Sequence, residues 1–129
     1  MNRGEMRTPA QKKGDIGEDA ALKRYTENGY TLVARNYRRR CGEIDLIVKN
    51  EEYIVFVEVK TRSARAISRP VSAVGRKKIG NIVKTAMMYL SENNTYLQPR
   101  FDIAEVISDG KNIIMLEITE NAFDGGSVF

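Results

Sequence analysis

Strand-like alternation breaks at one place in this chain, and what replaces it is charge. From Tyr53 to Lys60 the sequence reads Tyr-Ile-Val-Phe-Val-Glu-Val-Lys. Successive residues of a strand point to opposite faces, so Tyr53, Val55, Val57 and Val59 share one face. The other face carries Ile54 and Phe56, then Glu58 and Lys60. Packing alone does not select an apolar face that ends in an acid and a base. Just upstream, Cys41 to Lys49 is another run rich in β-branched residues, and Asn50-Glu51-Glu52 is a polar break. The segment reads as two strands joined by a tight turn.

With Glu51 and Glu52 as a two-residue turn, Asn50 pairs with Tyr53, and Asp45 falls opposite Glu58 on the same face. Opposed carboxylates lie about 5 Å apart and repel by roughly 3 kcal/mol at an effective dielectric of ~20. Lys60, a proton shared between the acids, or a divalent cation would each offset that. Mg²⁺ suits such a pair, being held typically by one or two carboxylates together with waters and substrate phosphate oxygens.

The spacing Asp-x12-Glu-x-Lys resembles the active-site signature of the PD-(D/E)xK nuclease superfamily, although Ile44 stands where that motif has proline. The strings Gly42-Glu43-Ile44-Asp45-Leu46-Ile47 and Val55-Phe56-Val57-Glu58-Val59-Lys60-Thr61-Arg62 are similar, more specifically, to the YraN-like family. These are small bacterial endonuclease-like proteins that resemble archaeal Holliday junction resolvases. The resemblance covers roughly residues 14 to 119. It implies an α/β, restriction-endonuclease-like αβββαβ core: a mixed central sheet flanked by helices, here with one extra C-terminal strand.

What the resemblance implies chemically is metal-dependent hydrolysis of phosphodiester bonds in DNA, branched or junction-shaped DNA included. Asp45, Glu58 and the carbonyl of Val59 would hold Mg²⁺ or Mn²⁺, and Lys60 would orient or deprotonate the attacking water. Two other readings stand beside it. One is a non-cleaving nucleic-acid-binding protein of the same fold that acts in recombination, repair or DNA uptake through a partner. The other is a structural salt-bridge cluster, whose exposed pairs are worth only about 0–1 kcal/mol each.

Composition narrows the chemistry. The chain has no histidine and one cysteine, which removes His-dependent triads, His-ligated zinc and internal disulfides. A single Cys fits a reducing cytoplasm, and with no activating His, Cys41 reads as a small strand-edge residue. At 129 residues the chain is long enough for one domain with its own core. No apolar run reaches membrane-spanning length, and the polar start Met1-Asn2-Arg3-Gly4 lacks the hydrophobic region of a signal peptide. A net charge of +4 permits a polyanionic partner.

In chain order, residues 1 to 13 read as a loose polar lead-in, followed by a helix from about Asp15 to Asn28. Its apolar stripe, Ala21, Leu22 and Tyr25, includes Glu18 by helical spacing. One account of Glu18 is dipole stabilisation in the first turn. The YraN-like family has a Gly-Glu near this point, matched by Gly17-Glu18, and this implies instead that Glu18 leans into the site of Asp45 and Glu58. Tyr30 to Tyr37 reads as a strand. Arg38, Arg39 and Arg40 then precede the hairpin, where basic residues suit phosphate contact.

Beyond Lys60, Thr61 to Pro70 reads as a mobile basic loop carrying Arg62 and Arg65. A second helix spans Val74 or Gly75 to Ser91, with Ile79, Ile82, Val83, Ala86, Met87 and Leu90 as its stripe. Lys77 and Lys78 lie at its start, where the helix dipole disfavours cations, and this points to an external anion. Arg100 to Ile107 is a strand parallel to Tyr53–Lys60 by a right-handed crossover, and Asp102 is expected to play a structural hydrogen-bonding part at its start. A last strand runs from Asn112 to Ile118 or Thr119, and residues 120 to 129 read as a frayed tail. A junction-cutting enzyme would need two sites related by a two-fold axis, hence a homodimer.

Overall fold

A computed structural model describes residues 9–64 and 75–124, with side chains from residue 15 onward. In order, the elements are α1 (Pro9–Glu27), β1 (Thr31–Arg39), β2 (Gly42–Lys49), β3 (Tyr53–Ser63), α2 (Arg76–Glu92), β4 (Gln98–Ser108) and β5 (Ile113–Phe123). The strands form one sheet in the order β1-β2-β3-β4-β5. β3 and β4 run parallel and every other neighbouring pair antiparallel. This is the mixed α/β sheet flanked by two helices that αβββαβ plus one strand requires.

Alternation along β3 decides which helix each residue meets. Ile54 and Phe56 pack with Ile82, Val83 and Ala86 of α2, while Val55 and Val57 pack with Ala21 and Tyr25 of α1. β3 is buried over its first half and relaxes to half-buried beyond Glu58. The central strand therefore has a dry apolar half and a charged half where the covering thins.

Four ends differ from expectation. β3 runs on to Ser63, so Thr61 to Ser63 of the expected loop are strand, held by pairing with Val106 to Ser108 of β4. α1 begins at Pro9, not near Asp15, so part of the expected lead-in is helical. Glu18 consequently lies inside the helix, not in its first turn, and the dipole account of it falls. Arg38 and Arg39 belong to β1, leaving only Arg40 and Cys41 in the turn. β5 continues to Phe123, so residues 120–123 of the expected tail are strand. The chain kinks at Asn121 (φ 53°), whose N–H donates to Asp102 Oδ1 at 3.0 Å. Phe123 then stacks on Phe101, ring centroids 5.1 Å apart.

Asp102 is completely buried, as a structural role demands. Tyr25 Oη donates to its Oδ2 at 2.7 Å, and Arg100 donates to Oδ1 at 3.0 Å and to Oδ2 at 2.9 Å. Arg100 also lies over the Tyr53 ring, 4.8 Å from its centroid. A buried carboxylate so fully bonded ties α1 to the start of β4 and the end of β5.

Candidate active site

The hairpin has the expected register. Leu46 pairs with Val57, Ile47 with Phe56, Val48 with Val55 and Lys49 with Ile54. Asn50 makes the turn with its side chain, its Oδ1 accepting the N–H groups of Glu52 and Tyr53 at 2.9 and 2.7 Å. Continued by one residue, this register sets Asp45 opposite Glu58. The ladder, however, stops at Leu46–Val57. Asp45 Oδ2 accepts the Val59 N–H at 2.8 Å, a bond that a β2 carbonyl would otherwise make. Side-chain alternation slips at the same point: Ile44 and Ile47 both join the α2 side of the core, whereas Leu46 and Val48 join the α1 side. β2 and β3 part here, and the carboxylate fills the gap.

Hydrogen bonding between the Asp45 and Glu58 carboxyls favours the protonated form of Asp45. Burial first, then that bond and the charge of Glu58, push Asp45 up to about 8, against the opposing pull of the Val59 N–H. Glu58 is only 6% exposed, and Lys78 from the first turn of α2 reaches it, Nζ to Oε2 at 3.3 Å. Of the ways to offset the carboxylate repulsion, the protein supplies a lysine, and the raised pKa of Asp45 favours a proton as well. The lysine it uses there is Lys78, which had been assigned to phosphate. Lys60 stands two residues on from Glu58 and level with Glu105 of β4. Its pKa is lowered, by burial and then by the positive charges of Arg62 and Lys78.

Glu18 comes from α1 to the β1 side of this pair. It is 9% exposed; burial raises its pKa, and the charge of Asp45 adds to the rise. Arg35 Nε holds Glu18 Oε1 at 3.0 Å, while Nη1 holds Asp19 at 2.7 Å. Arg35 pairs with Leu46 and Tyr37 with Ile44, so Asn36 is level with Asp45. Asn36 adopts a left-handed φ of 53°. With its NH₂ turned to the acids, it donates to Glu43 Oε1 at 3.2 Å and Glu18 Oε2 at 3.3 Å. Gly17 lets α1 come this close, since a Cβ there would collide with the Thr61 hydroxyl just after Lys60. Among the described residues, no three His, Cys, Asp or Glu side chains are gathered closely enough to ligate one ion. Asp45 and Glu58 form the pair, with Glu18 alongside on its own arginine.

The pair opens onto a cleft of about 550 Å³ lined by Gly42, Glu43, Lys77, Lys78, Asn81 and Ile82 among others. Gly42 takes φ +155°, and a side chain there would press on Asn81 and Thr85 of α2. Lys77 is exposed at the rim. The arginine run divides. Arg38 pairs with Glu43 at 3.2 Å, Arg39 pairs with Glu92 at 3.1 Å and lies over the Tyr37 ring, and Arg40 is exposed in the turn. Arg62 is half-buried on the face of Glu58 and Lys60. Arg65, and with it most of the basic loop, lies outside the described residues. Cys41 Sγ is 3.4 Å from Thr85 Oγ1, a packing contact at the strand edge.

Arg35, Asn36 and Glu43 were not picked out from sequence. A strand arginine gives no spacing signal, and Asn36 matters only through a backbone angle. Glu43 sits inside the motif but looks like its solvent side.

The family model described as "Uncharacterised protein family UPF0102" matches residues 17–106, which include Glu18, Asp45, Glu58, Lys60 and Lys78. A UPF0102 protein of Clostridium acetobutylicum is 41% identical over 115 residues, covering 88% of this chain and 94% of the relative. One from Acetivibrio thermocellus is 43% identical over 116 residues, covering 85% and 89%. Another, from Ruegeria pomeroyi, is 40% identical over 115 residues, covering 88% and 89%.

Proposed function

The chain belongs to the UPF0102 family, and for this member we propose a metal-dependent endonuclease that hydrolyses phosphodiester bonds in DNA, including branched or junction-shaped DNA. The observation that carries this reading is that Asp45 and Glu58 line one open cleft together with Lys77 and Lys78. Two neighbouring carboxylates are a hard oxygen donor set for Mg²⁺ or Mn²⁺, and the ion competes with the protons they carry. Asp45 and Glu58 would hold the ion. The Val59 carbonyl belongs to the residue whose N–H already meets Asp45. When bound, the cation draws charge from the phosphodiester and acidifies water.

The remaining work falls to residues of the chain. Lys60, its pKa lowered among cations, is suited to accept a proton from an attacking water or to stabilise charge growing on phosphate. Lys77, Arg40 and Arg62 line or flank the approach and offer sequence-independent phosphate contacts. Arg35 and Asn36 fix Glu18 and Glu43 beside the pair, so the acids do not rearrange when charge arrives.

The test is cleavage of a panel of linear, flapped and four-way DNA substrates, each with Mg²⁺ and with Mn²⁺, alongside Asp45→Asn as the inactive control. Absence of cutting on every substrate, in a protein shown by calorimetry to bind the metal, would leave a binding protein in place of an enzyme.

A further inference from the structure

Lys78 is in an unusual place for a lysine. It sits in the first turn of α2, a turn without an acidic residue, where the helix dipole opposes positive charge. Its side chain is 60% exposed, yet its ammonium lies 3.3 Å from the nearly buried Oε2 of Glu58. A buried carboxylate left without a counter-charge is costly, and Asp45 beside it brings another acid, not relief. Among the described residues Lys60 also lies near Glu58, with Arg62 and Glu105 among the charges on that side. Lys77, by contrast, lines the same cleft and makes no ion pair with a described residue.

Resting on the metal-site reading above, we propose that Lys78 is the resident counter-ion of Glu58, which holds the carboxylate in the metal-free protein and yields it to a divalent cation. The same oxygen cannot serve a close ammonium and a dication without strong repulsion between them. Lys78 has a long, flexible stem rooted in an exposed turn, so it can swing towards the cleft with little rearrangement of α2. The freed ammonium then stands at the cleft mouth, where a phosphate would lie.

The measurement is Mg²⁺ binding alone, by calorimetry, to the parent protein and to Lys78→Met, Lys78→Arg and Lys77→Met. Lys78→Met should tighten binding by roughly threefold to tenfold, the scale of a partly exposed ion pair plus the repulsion removed. Lys78→Arg should stay near the parent, and Lys77→Met should change affinity by less than about twofold. In metal-free buffer Lys78→Met should also melt a few degrees lower, roughly 2–4 °C, because Glu58 loses its partner. Equal tightening in Lys77→Met and Lys78→Met would mean only a diffuse field, and the proposal fails. Unchanged or weaker binding in Lys78→Met also overturns it, while a parent that binds Mg²⁺ keeps the nuclease reading alive. Binding in Lys78→Met but not in the parent supports displacement. Binding in neither overturns both.

Discussion

Asp45 Oδ2 takes the Val59 N–H at 2.8 Å while burial and the neighbouring Glu58 favour protonation of the same carboxyl, so one side chain both ends a sheet ladder and begins an acid pair. The pH response follows from this. The folded-state pKa of Asp45 is raised from the ordinary carboxylate range to about 8. The native protein therefore favours the protonated form. The stability this contributes is complete below the unfolded value of about 4 and is lost as pH rises through 8. Thermal melts of metal-free protein should fall between pH 5 and pH 8.5, and Asp45→Asn should remove most of that slope. A slope unchanged by the substitution would show that some other group sets it.

Metal binding and turnover should separate by residue. Asp45→Asn and Glu58→Gln each remove a ligand charge and should abolish Mg²⁺ binding by calorimetry. At pH 8.5 without metal, Asp45→Asn should be as stable as the parent or more so, since up to roughly 3 kcal/mol of repulsion is relieved. Lys60→Met should keep metal binding and lose about 100-fold or more in cleavage rate. A structural cluster predicts the opposite sign for Asp45→Asn, a lower melting temperature with no metal binding to lose.

Arg35→Met leaves Glu18 buried beside Asp45 without its hydrogen-bonding cation. It should cost about 1–3 kcal/mol in urea unfolding at pH 7. Adding Glu18→Gln should recover part of that loss. If the double variant is no better than the single, the two side chains are not coupled as the 3.0 Å contact requires.

The hairpin, its register and both faces of β3 were legible because period-2 alternation and an Asn turn are local signals. So was the helix from Arg76, down to its basic start. The turns of α1 before Asp15 were missed because Gln11, Lys12, Lys13, Gly14 and Asp15 carry no apolar stripe. β5 was cut short for a similar reason: Glu120 and Asn121 look like a tail, and only Asp102, far away in sequence, holds Asn121 in the sheet. The pairing of Lys78 with Glu58 is likewise tertiary. Strand pattern placed Lys60 beside Glu58, but which lysine meets the buried oxygen depends on where α2 docks.

Those same contacts revise what the arginine run should do on DNA. Arg39 is spent on Glu92 and Tyr37, so Arg39→Ala should lower stability slightly and leave the salt slope of DNA binding nearly unchanged. Arg40→Ala should reduce the salt slope by up to about one phosphate contact, and Arg38→Ala by less because Arg38 is paired with Glu43. Filter binding across a salt series distinguishes these, and a full one-contact loss from Arg39→Ala would refute the division.

Buried Asp102 calls for a different response. Tyr25→Phe removes one donor and should cost about 1–2 kcal/mol. Asp102→Ala strips the carboxylate from Arg100, Tyr25 and the Asn121 N–H together, and should cost about 3–5 kcal/mol or prevent folding. Neither should change Mg²⁺ affinity in protein that remains folded.

The hairpin that brings Asp45 to Glu58 is local, whereas α2 and the parallel pairing of β3 with β4 close a long stretch of chain. Local pairing is entropically cheap and tends to come first. The two acids should therefore approach each other before Lys78 docks. Refolding should be slower at pH 8.5 than at pH 6, and Asp45→Asn should erase the difference in stopped-flow traces. Since burial is the main cause of the raised Asp45 pKa, a refolding rate that falls with pH would mean that the pair is already being dried at the folding barrier.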